Sequence, residues 1–127
     1  MPTVKTTLRK HESLQRKRIA PVDLQEGYQV NIRLVRIVGG KAHGIVCLRG
    51  GDDWHREILK NTEAEIKGLG FQNAIVTPAG GAWVRFEPDG AIVLYGSSDE
   101  FGTCDKKTAA DLMGRAFPGR KILVREY

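Results

Sequence analysis

The stretch that most constrains this chain is residues 82–95. Two short apolar runs, 82–86 and 91–95, flank Glu87-Pro88-Asp89-Gly90. Proline pre-sets φ for a turn, aspartate bonds backbone just ahead of it, and glycine accepts positive φ. A chain punctuated this way folds back on itself as an antiparallel hairpin. Residues 28–38 form a longer β-branched run with Val30, Ile32 and Leu34 alternating around Arg33, and 44–49, 72–77 and 121–125 read as further strands. Gly50-Gly51-Asp52-Asp53 leads into a helix over 54–67, expected to be capped by Asp53 and to bury Trp54, Ile58, Leu59 and Ile66. A second helix over 106–117, capped by Thr103 or Asp105, carries the stripe Ala109, Leu112, Met113, Ala116 and Phe117. The order β-β-α-β-β-β-α-β implies an α/β or α+β fold. Its mixed, hairpin-rich sheet has about six strands, and two helices must cover the apolar faces.

The formal charge of +5 suggests a nucleic-acid binder, but its distribution narrows that reading. Lys5, Arg9, Lys10, Arg16, Lys17 and Arg18 face a single acid, Glu12, in residues 1–18, and the rest of the chain is balanced. Residues 1–25 are expected to be a basic, flexible arm and 26–127 the folded domain. Nucleic-acid or acidic-surface binding is expected only through residues 1–18. No apolar run is long enough to span a bilayer, and the N-terminus lacks the apolar core of a secretory leader. Cys47 and Cys104 are too few for a disulfide framework and read as reduced thiols. A cytoplasmic monomer without membrane association is the expectation.

Two places carry candidate chemistry. His55 opens the first helix, where the positive end of the helix dipole lowers an imidazole pKa and favours the neutral base or nucleophile. The same end presents backbone N–H groups suited to phosphate. The second place is Gly96-Ser97-Ser98-Asp99-Glu100-Phe101-Gly102, a glycine- and serine-bearing loop between a strand and a helix. Cys104 stands near a helix start, where a thiol pKa can fall. A structural role is the favoured reading there, and Trp54 and Trp83 are read as core. His11 and His43 lack partners at metal-ligand spacing, so no zinc site is expected.

Together these features resemble the phosphohistidine phosphatase (Janus/Ocnus) family over roughly residues 28–127. Three stretches carry the resemblance: Trp54-His55 at the helix start, Pro78-Ala79-Gly80-Gly81 before Trp83, and Leu94-Tyr95-Gly96-Ser97-Ser98-Asp99-Glu100-Phe101-Gly102. The resemblance implies a hydrolase that removes the phosphoryl group from phosphohistidine in a protein substrate, with no metal or other cofactor. His55 would be catalytic. Ser98, the amides around Asp99 and Glu100, and the amide of Arg56 would hold phosphate. The family's first-strand lysine, the arginine after its glycine turn and its later histidine are matched here by Asn31, Ala82 and Lys106. Arg33, Arg56 and Lys106 are the candidate replacement cations, and Asn31 and Ser97 are further supporting positions. An anion-binding module of the same fold without turnover is the alternative implied by those departures.

Overall fold

The computed structural model describes residues 18–51, 54–98 and 102–125. Most of the expected arm, residues 1–17, lies outside these, as do Asp52, Asp53, Asp99, Glu100 and Phe101 and the side chain of His55.

Among the described residues six strands form one sheet in the order β1-β3-β2-β4-β5-β6. They are β1 (Val22–Asp23), β2 (Val30–Val38), β3 (Val46–Gly50), β4 (Ile75–Phe86), β5 (Ile92–Tyr95) and β6 (Ile122–Val124). The inner pairs are antiparallel, and the two outermost pairs, β1 with β3 and β5 with β6, are parallel. Among the described residues two α-helices, α1 (His55–Gly68) and α2 (Lys106–Ala116), and a short 3-10 helix (Gly40–Ala42) complete the fold. The α+β architecture read from the sequence is therefore present.

The hairpin between β4 and β5 forms as its turn residues dictate. Ala91 N–H donates to the Asp89 carboxylate at 2.9 Å, Gly90 N–H donates to the Glu87 carbonyl at 3.0 Å, and Gly90 takes φ 97°. Three local expectations need correction. The separate strands expected at 72–77 and 82–86 are one strand, because β4 starts at Ile75 and runs through Pro78. Between Arg33↔Gly81 and Val35↔Pro78 the β4 side holds one extra residue. This bulge accommodates the proline's missing N–H. Part of the stretch read as an arm is also built into the fold. Ile19 is buried, β1 pairs with β3, and Leu48 N–H donates to the Pro21 carbonyl at 2.8 Å. Finally, α1 is capped at Trp54, without a side-chain bond, and Trp54 is 72% exposed instead of in the core.

Strand alternation splits the core in two. Val30, Ile32, Leu34, Leu48, Ala82, Val84, Ile92 and Leu94 meet Ala109, Leu112 and Met113 of α2. Val35, Ile37, Cys47 and Val76 meet Ile66 of α1, with Phe71, Ala74 and Ile19 closing the edge. Asn31 and Arg33 share the parity of Val35 and Ile37, so they lie on the α1 face.

Arg49 on β3 lies under α1 and bonds Glu65 of that helix through both carboxylate oxygens at 2.8 Å. Burial alone would lower the guanidinium pKa, but the Glu65 hydrogen bonds and charge outweigh it and hold the pKa above its ordinary value. The Arg49 side chain is 5% exposed and that of Glu65 31%. Glu65→Ala strands a buried cation, and urea denaturation is expected to show a loss of about 2–3 kcal/mol, the partial exposure of Glu65 keeping it below the full range. The double variant Arg49→Met/Glu65→Leu should recover most of that loss. Equal losses in the single and double variants would contradict the account.

Candidate functional site

The start of α1 is set by glycine. A Cβ on Gly50 would stand 2.9 Å from the Asn31 carbonyl oxygen, so β3 and β2 approach here as only glycine allows. Gly51 follows at φ 113°. The helical ladder begins with the amides of Glu57 and Ile58, which donate to the Trp54 carbonyl at 3.1 and 3.2 Å. The amides of His55 and Arg56 precede it and lie at the positive end of the helix. The Arg56 side chain is exposed. α1 then crosses β2 and β4 on the face that carries Asn31 and Arg33.

The loop after β5 is anchored to the glycine turn of β4. Ser98 and Gly102 exchange backbone hydrogen bonds at 3.2 and 2.9 Å. Gly81 N–H donates to the Gly102 carbonyl at 3.0 Å, and Cys104 N–H donates to the Gly81 carbonyl at 3.2 Å. Gly80, at φ 89°, has no room for a side chain. A Cβ there would stand 2.6 Å from Thr103 and Cys104 backbone atoms. Two of the three sequence stretches singled out, Gly80-Gly81 and the serine loop, thus form one contact. Ser98 is 3% exposed, while Ser97 is exposed.

Register places the other candidates around this contact. Arg33 pairs with Gly81 and Asn31 with Trp83, which in turn pairs with Tyr95. Asn31 is 4% exposed and Arg33 fully buried. Ala82 faces away. It pairs with Ile32 and belongs to the α2-side core, so the position matched to a family arginine does not share a face with Asn31. Lys106 is buried as the first residue of α2. Its cap is Asp105, as one of the two sequence alternatives has it. The carboxylate accepts from the amides of Lys107 and Thr108 at 3.0 and 3.4 Å. The Thr108 hydroxyl and these amides hold the Asp105 pKa below the usual carboxylate value. Asp99 and Glu100 lie outside the described residues, and only the backbone position of His55 is fixed.

Cys104 does not become a low-pKa thiol at its helix start. Burial pushes its pKa up, and the nearby Lys106 charge offsets this only in part. Cys47 is likewise raised by burial, and both cysteines are free. Two features escaped the sequence reading. One is the Arg49–Glu65 pair, whose partners stand 16 residues apart with no local signal joining them. The other is Arg85, whose guanidinium lies 5.9 and 5.8 Å from the rings of Tyr28 and Tyr95 and 2.7 Å from the Glu87 carboxylate. Period-two alternation would have put Arg85 on the Trp83 face. Among the described residues no three His, Cys, Asp or Glu side chains are grouped to hold a metal ion, and no helix is long and apolar enough to cross a membrane.

No curated protein matches the sequence. The family model described as Janus/Ocnus family (Ocnus) matches residues 16–121, a span that takes in the residues from Ile19 to Asp23 that pack into the sheet as well as both candidate site loops. On that match the chain belongs to the Janus/Ocnus family.

Proposed function

We propose that this protein is a phosphohistidine phosphatase that works in the cytoplasm without a metal. The observation that carries the reading is the docking of the Ser98/Gly102 bridge onto Gly80-Gly81, on the strand that α1 crosses. That arrangement supports a phosphoryl site between the start of α1 and the serine loop. The amides preceding the α1 ladder and the buried Ser98 offer donors to phosphate oxygens. His55 acts from the first helical position. As a general base it takes a proton from water while the water oxygen attacks phosphorus. The P–N bond breaks, its electron pair stays on the substrate imidazole, and a proton from solvent completes the leaving group. Because that bond is labile, positioning and anion stabilisation carry the acceleration.

The test is hydrolysis of a phosphohistidine peptide followed by 31P NMR. Release of inorganic phosphate faster than in buffer is expected, and identical rates would overturn the proposal. A second reading, anion binding without turnover, is favoured by one observation. Asn31 places a neutral amide on this face, and Ala82 adds no charge to it. Phosphate binding without peptide hydrolysis would select that reading.

A further inference from the structure

β4 is longer than the strand that follows it. Along Ile75–Pro78 one edge of β4 pairs with β2, while β5 joins the other edge only from Trp83 onward. Among the described residues no strand pairs with that other edge at Ile75–Pro78. Pro78 has no N–H to give, so a pairing stretch along it is Ile75–Thr77, centred on Val76. Folded chains protect such an edge with charges or by covering it. This one instead starts with Ile75, a large apolar side chain that is 62% exposed. Val76 turns into the α1-side core, so Ile75 lies on the opposite face of the sheet. A cavity of about 160 Å³ runs beside the edge, lined by Glu63, Lys67, Ala74, Ile75 and Val76. Glu63 and Lys67, one helical turn apart on α1, thus stand next to the middle of the open stretch.

We infer that this edge is the contact between two copies of the chain, in place of the monomer expected from sequence. A two-fold axis through the sheet at Val76 sets Ile75 of each copy against Thr77 of the other and joins the two sheets antiparallel, edge to edge. Three features fit a second copy. First, α1 packs on β2 and β4 alike, so its axis lies about half a strand spacing inside β4. Across the new pairing the two α1 helices then run antiparallel about 10 Å apart, a separation at which helices pack. Second, the axis passes at the level between Glu63 and Lys67, so each Glu63 faces Lys67 of the partner subunit. The surface is complementary to itself, as an isologous contact requires. Third, the two Ile75 side chains take diagonal positions on one face, roughly 7–8 Å apart and within reach of each other, which removes apolar surface from water. The contact is independent of the phosphoryl site.

The experiment is sedimentation equilibrium of the full chain at low ionic strength over a range of concentrations, with hydrogen exchange at the amides of Ile75, Val76 and Thr77. Wild type should move from 14.1 kDa toward twice that mass as concentration rises, and protection of the edge amides should rise with it. Glu63→Lys and Lys67→Glu each set like charges across the axis and should weaken association about tenfold. Both positions lie on the outer surface of α1, so both variants keep the fold. Mixed in equal amounts, the two variants restore both charge pairs in a heterodimer and should associate as wild type does. A loss of stability in either variant would not give that recovery. A single 14.1 kDa species at every concentration overturns the inference, whether the edge stays open, is covered by residues 1–17 or takes a strand from another protein. Wild-type association that neither variant weakens, or that the mixture does not recover, overturns it as well.

Discussion

His55→Ala is expected to slow phosphohistidine hydrolysis by about a thousandfold, the order lost with a general base. The melting temperature should stay where it is. Alanine is the best helix former, and α1 is held by Ile58 and Ile66 in the core and by the Glu65 bonds to Arg49, none of which the change touches. Phosphate affinity should survive, because the donors proposed for the anion are backbone amides and Ser98. This separates chemistry from binding. A variant that binds and folds like wild type but no longer turns over places the proton transfer on His55. Full activity in His55→Ala would remove His55 from the reaction, and lost binding would make it a ligand-holding residue.

Gly80→Ala is expected to be the most damaging single methyl addition considered, at about 3–4 kcal/mol. Two independent costs combine. The residue sits at φ 89°, which is strained for any side chain. Its Cβ would also stand 2.6 Å from three backbone atoms of Thr103 and Cys104. Backbone cannot rotate away as a side chain can, so the segment after Gly102 must lift off β4. Gly90→Ala is the control. Gly90 has φ 97° but no atom within 4 Å of a built Cβ, so only the conformational cost applies, about 1–2 kcal/mol. Urea denaturation of the two variants gives the difference. Gly80→Ala should in addition weaken phosphate binding, because Ser98 moves with the segment. Equal stability losses at the two glycines would mean that the close approach at Gly80 does not hold the loop.

Much of this fold can be read from residues that act locally. Pro88, Asp89 and Gly90 make their turn with bonds no longer than three residues, so the β4–β5 hairpin is legible. The α2 stripe and the Asp105 cap are legible for the same reason. What fails involves partners distant in sequence. Pro78 reads as a strand end because a proline lacks an N–H. A bulge opposite β2 absorbs that defect, and the bulge depends on the glycine pair that follows. β1 has two residues and no pattern of its own, and exists through its pairing with β3. Trp54 reads as core by helical spacing, yet it is the cap residue and points out of the stripe. At the site, His55, Gly80-Gly81 and the serine loop could be named from sequence, but not the contact between the last two. The pairing of Arg33 with Arg49 on one side and Gly81 on the other was beyond reach, since it needs the register of β3, β2 and β4 together.

The most direct test of the central claim is whether the start of α1 and the Ser98 segment form one anion site. Inorganic phosphate is titrated into the uniformly labelled protein, and the amides of Arg56, Ser98 and Gly102 are followed. The account predicts saturable shifts at all three with a single midpoint, and shifts far smaller at the opposite end of the sheet, near Lys41 and Asn73. Shifts confined to one of the two segments, or different midpoints for Arg56 and Ser98, would contradict it.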